Sequence, residues 1–161
     1  MSPSPESKVR PPAVAGSFYP AHPEALRSAV NRLVAHAVPP AIHGALRALI
    51  APHAGYIYSG PVAASAYAVL ARASSRPHRI FLLGPSHRLP FHGLALPETE
   101  ALETPLGVVP VDPLAASLPQ RFSQVIRLDR AHQGEHSLEV QLPFLQCVLP
   151  EGFALVPMAV G

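Results

Sequence analysis

Two apolar runs, each broken by a loop that contains Gly and Pro and carries a histidine, do most to limit what this chain can become. The first is "LRALIAPHAGYIYSG", residues 46–60, and the second is "RIFLLGPSHRLPFHG", residues 79–93. Between them "GPVAASAYAVLARA" reads as a helix, with "ALRALIA" and "RIFLLG" as the buried strands on either side. A strand, loop, helix, strand order calls for parallel strands joined by a right-handed crossover. In open α/β sheets ligands bind at the carboxyl ends of the strands, and both His53 and His87 stand there.

The rest of the chain fits the same class. Pro23 occupies a first helical position, and Leu26, Val30, Leu33, Val34 and Ala37 follow at spacings that give one apolar face, so a helix is predicted from Pro23 to just before "VPP". "GLALPE", "VVPVD" and "VIRLD" are further strand candidates, "PLAASL" a short helix, and "EHSLEVQLPFLQCVL" a helix despite Pro143. The expected architecture is α/β, a mostly parallel open sheet flanked by helices, over residues 13–161. Residues 1–12, rich in Ser and Pro, are expected to form a flexible tail. "FALVPMAVG" closes the chain as an apolar strand, and a buried strand normally leads into a covering helix. The sequence therefore reads as the N-terminal portion of a longer domain whose C-terminal part is missing.

Composition sets the remaining bounds. Hydrophobic residues make up 48% of the 161 and charged residues 14%, enough for a real core and too apolar for a disordered chain. The net charge of +2 comes from scattered basic residues, which argues against a nucleic-acid surface. One cysteine cannot form an internal disulfide, so a reducing cytoplasm is the expected location. No apolar run approaches the roughly 18 residues that a membrane span needs.

The histidines carry the chemistry. Two imidazoles at neighbouring strand ends can share one metal ion, although surface or hydrogen-bonded loop histidines would produce the same spacing. His136 opens the helix in "GEHSLEV", where the helix dipole favours the neutral imidazole of a general base; the plainer reading is a first-turn residue with Glu135 serving the helix N-terminus. His22, His36, His43, His78, His92 and His132 have no partner pattern and are expected on the surface. Ser86 beside His87 and Ser137 beside His136 hint at a hydrolase, but no GxSxG elbow is present. Cys147, within "FLQCVL", is expected to pack as a small hydrophobe.

Six ordered blocks, "RPPAVAGSFYP", "IAPHAGYIYSG", "FLLGPSHRLPF", "ETPLGVVPVD", "EHSLEVQLPFLQ" and "PMAVG", together resemble the successive motifs of the Memo family, also called AmmeMemoRadiSam system protein B. The resemblance implies a fold similar to class III, LigB-type extradiol dioxygenases. It implies His53 and His87 as metal ligands, His136 as the acid/base histidine, and a third ligand, often a cysteine, beyond Gly161. The implied cofactor is a divalent metal ion, Fe or Cu ahead of Zn. The implied function is a metal-dependent oxidoreductase, the alternatives being a non-catalytic module that holds a peptide or small ligand, or a metal-dependent hydrolase. A functional link to a radical-SAM protein is also implied, with neither nucleic acid nor membrane as partner.

Overall fold

The computed structural model of the protein describes residues 8–42, 44–73 and 77–161. In chain order the elements are β1 (Val9–Arg10), α1 (Pro23–His36), α2 (Tyr56–Arg72), β2 (Arg79–Pro85), β3 (Leu94–Leu96), β4 (Ala101–Thr104), β5 (Gly107–Pro110), α3 (Leu118–Arg121), β6 (Val125–Arg127), α4 (Leu142–Val148) and β7 (Ala154–Val160). Short 3-10 turns precede α3, follow β6 and precede α4. No helix among the described residues is long and apolar enough to cross a membrane.

The strands form two sheets rather than the single, mostly parallel sheet expected. One has the order β2-β7-β3-β6 and the other β1-β4-β5. β2 runs parallel to β7 over seven residue pairs and β3 parallel to β6, but β3 and β7 are antiparallel. The cause is the loop from Ser86 to Gly93, which sends the chain back instead of into a crossover helix. Gly93 has φ +100° and lies so close to the Gln124 carbonyl that a Cβ there would sit 2.3 Å from its oxygen. That approach lets Leu94 N donate to Gln124 O and sets β3 beside β6.

α1 forms where the apolar spacing places it. Leu26 and Val30 are fully buried, and Leu33, Val34 and Ala37 pack at the edge of the same core. α2 starts four residues before the predicted stretch, with Pro61 inside it. Its first turn is anchored by Tyr56 N donating to Phe18 O at 2.8 Å. α1, α2 and α4 cover one face of the larger sheet, with Leu155 of β7 buried against them and Ile80 and Leu82 of β2 half-buried at the margin. A smaller cluster around Leu118, Val125, Val156 and Met158 covers part of the other face.

Two further expectations are corrected. "ALRALIA" forms no strand: Leu46, Leu49 and Ala51 touch the core, but Ile50 is 98% exposed and no described strand pairs with the segment. Val9 and Arg10, placed by the sequence in a flexible tail, pair with Ala101 and Leu102, and Arg10 is buried. The cause is an ion pair that the sequence does not advertise, from Arg10 to the fully buried Glu139. Residues 1–7 of that tail lie outside the described residues.

Candidate functional site

Three loops bring the chemistry together. His53 lies in the turn that feeds α2, which is fixed by Ser59 Oγ donating to Ala54 O at 2.9 Å and by Gln141 Nε2 donating to Pro52 O at 3.0 Å. His87 follows β2, where Ser86 N donates to Val160 O and so extends the pairing with β7. His136 sits in the turn before α4, and that turn is pinned to the end of β2 by Ser137 Oγ donating to Pro85 O at 2.8 Å. The approach depends on Gly84, since a Cβ there would lie 2.7 Å from Ser137 Oγ.

The result is a cluster of three imidazoles. The rings of His87 and His136 are stacked, with centroids 4.6 Å apart and planes 14° from parallel. His53 is 5.2 Å from His87 and 6.1 Å from His136, centroid to centroid. The Phe18 ring also packs against His136, with centroids 4.7 Å apart and planes tilted by 53°. A cleft of about 630 Å³ between residues 46–51 and β2 reaches His53 and Ser137. A larger groove between α1 and α2, about 880 Å³, has none of these imidazoles in its lining.

Glu135 is the hub beneath the rings. Its Oε1 accepts from His87 Nδ1 at 2.9 Å, His136 N at 2.8 Å and Ser137 N at 2.9 Å, and its Oε2 accepts from His87 N at 2.6 Å. Burial alone pushes this carboxyl up, but the hydrogen bonds from His87, Ser137 and His136 outweigh it and hold the group at about 2. His53 and His136 are both pushed below the ordinary histidine value, first by burial and then by the neighbouring imidazoles, against the opposing pull of Glu135. Neutral imidazoles expose a nitrogen lone pair, the form that binds a metal or takes a proton.

The rings of His53, His87 and His136 lie beside one another, the ligand atoms of His87 and His136 but not His53 grouping with Glu135, and two details differ from expectation. His136 precedes the first helical turn rather than opening a helix, so burial and not a helix dipole lowers its proton affinity. Glu135 serves His87 across 48 residues of sequence, as well as its own turn. The sequence assigned Glu135 only to its own turn; its distant partner was visible only in three dimensions.

The remaining residues sort cleanly. His22, His36, His78 and His92 are exposed as expected, and His43 lies outside the described residues. His132 is buried instead, with its Nε2 2.9 Å from Ala95 O and its carbonyl accepting from Arg10 Nε. Cys147 packs against the core, and burial pushes its thiol up. Ser86 Oγ donates to Leu89 O and Ser137 Oγ to Pro85 O, so both hydroxyls are committed to backbone carbonyls rather than to a histidine. Behind the site, Glu139 accepts from Ala13 N, Val14 N and Tyr19 OH and pairs with Arg10.

Comparison with known proteins gives this arrangement a context. The family described as Memo-like protein matches residues 10–161. The chain is 44% identical over 160 residues to a MEMO1 family protein of Methanopyrus kandleri, covering 94% of this chain and 56% of that protein. It is 42% identical to a MEMO1 family protein of Ignicoccus hospitalis, covering 93% of this chain and 55% of that protein. A third, from Methanothermobacter thermautotrophicus, is 41% identical, with 93% and 56% covered. The chain therefore spans little more than half the length of the curated relatives it matches.

Proposed function

Because this chain belongs to the Memo family, we propose that it carries the imidazole side of a metal centre, with His53 and His87 as ligands and His136 as proton carrier, serving an oxidoreductase reaction. The observation that carries this reading is the convergence of three imidazoles from three separate loops, two of them held below their ordinary proton affinity by burial. The donor set fits a metal: imidazole nitrogens suit iron, copper and zinc, and iron or copper suits a redox role. When bound, such an ion supplies electron transfer and open positions for a small molecule.

The chain's own residues divide the remaining work. His53 and His87 would hold the ion, and the cleft that His53 lines has apolar walls, including Leu49, Ile80 and Leu82, that fit a small molecule or a peptide side chain. His136, half-buried beside both rings, takes or returns a proton at the reacting group. Further ligands, the substrate and any radical-SAM partner belong to the whole protein. The likeness to class III extradiol dioxygenases that the Memo resemblance implies is the reason for preferring redox chemistry to hydrolysis.

Dioxygen uptake by the Fe(II)-loaded protein, compared with His136→Ala, tests this reading. Metal-dependent uptake that falls with the variant is expected. Tight ligand binding without uptake would instead mark a binding module, and metal-dependent turnover without oxygen would mark a hydrolase.

A further inference from the structure

Proximity alone admits a different ligand set, His87, Glu135 and His136 without His53, since one oxygen of Glu135 and a nitrogen from each of the two histidines all lie within 4.8 Å of one another. The hydrogen bonds of Glu135 argue for another role. A carboxylate offers about four lone-pair sites, and here three N–H groups already address Oε1 and a fourth addresses Oε2. A cation at Oε1 would have to displace these donors, two of them backbone amides that hold the His136 turn in place, and the lone pair left on Oε2 belongs to a side chain only 2% exposed.

We propose that Glu135 is a positioning residue: it fixes His87 as the tautomer protonated at Nδ1, so that Nε2 carries the lone pair, and it leaves the ring of His136 free to exchange protons. An ionised carboxylate can only accept, so the 2.9 Å contact from His87 Nδ1 requires the proton to sit on that nitrogen when the ring is neutral. Metal-binding histidines commonly donate their second nitrogen to a carboxylate in this way, which sets the ring's orientation and raises its basicity. His136 is bound differently. Its backbone N–H is held by Glu135, but its ring Nδ1 stands 3.5 Å from Oε1, too far for a good hydrogen bond. One carboxylate thus gives two stacked imidazoles different roles, a locked donor and an unlocked proton carrier.

This inference rests on the metal reading of the site, and two measurements keep the two separable. In metal-free protein labelled with 15N at histidine, long-range 1H–15N spectra at mildly alkaline pH should show His87 protonated at Nδ1 and His136 as a mixture or the opposite tautomer. His87 protonated at Nε2 would overturn the proposal, and this result needs no variant. Zn(II) titration should then show a loss of affinity of roughly 10–100-fold in Glu135→Gln, which retains one acceptor oxygen but not the charge. On Zn(II) binding the Nδ1 proton of His87 should persist. Its loss would mean that Glu135 has left His87 to become a ligand, and would also overturn the proposal. Failure of the wild-type protein to bind Zn(II) would sink the metal reading, while the tautomer of His87 would still decide what Glu135 does.

Discussion

Glu139 and His132 show how single residues behind the site hold it up. Glu139 is fully buried and satisfies two backbone amides, the Tyr19 hydroxyl and the Arg10 guanidinium. Removing it strands a buried cation and three donors, so Glu139→Ala should cost about 3–5 kcal/mol in urea unfolding. His132, the most deeply buried of the histidines held below their ordinary value, is expected to make stability depend on pH. Burial, above all, pushes it below the ordinary value of 6.5, with the hydrogen bond to Ala95, Asp129 and Glu135 pulling the other way and Arg10 adding to the depression. As pH falls below 6.5, the unfolded chain takes up a proton that the folded chain refuses, so stability decreases with falling pH until the folded-state value is passed; above 6.5 this contribution is flat. The urea midpoint of the wild type should therefore fall more steeply below pH 6.5 than that of His132→Gln, and parallel curves would contradict this. Neither role was legible in the sequence. Arg10 lies in a stretch that looks like a tail, and its partners are more than 120 residues away.

Among the elements, local signals held where local physics decides and failed where a distant neighbour decides. α1 follows its apolar spacing because one helical face needs only a surface to lie on. β2 and β7 are continuous apolar runs, as strands of a covered sheet should be. Residues 45–51 are nearly as apolar, yet without a pairing strand the segment stays irregular. β4 is short and polar at Glu103 and Thr104, so it carries no signal, and it exists because β1 and β5 flank it. Gly84 joins element to site. A methyl group there would collide with Ser137 and push the His136 turn away from β2. Gly84→Ala should cost about 1–3 kcal/mol and weaken Zn(II) binding together with stability. An unchanged urea midpoint would show that the turn is free to move.

At the scale of the whole molecule, one sheet face is covered by α1, α2 and α4, and the opposite face only in part. Phe81 and Leu83 pair in register with the buried Val156 and Met158, yet they are 52% and 53% exposed, because the cluster that covers β7 stops short of β2. Exposed apolar side chains on a strand favour self-association. Replacing both with Lys should slow aggregation while changing stability by less than about 1 kcal/mol. A large loss of stability would mean that this face is packed in solution. The sequence showed β2 as apolar throughout and gave no sign of which residues would be left uncovered, since that depends on how far the covering layer reaches.

The proposed metal centre rests on His53 and His87, whose rings stand 5.2 Å apart from loops 34 residues apart in sequence and which would hold one ion between them. Pulsed EPR of the Cu(II)-loaded protein tests it most directly, because coupling to remote imidazole nitrogens counts the histidines on the ion. His53→Ala should remove one coupled imidazole and weaken binding while leaving stability within about 1 kcal/mol, as befits a loop ligand that is not part of the core. An unchanged spectrum and unchanged affinity in both His53→Ala and His87→Ala would contradict the account.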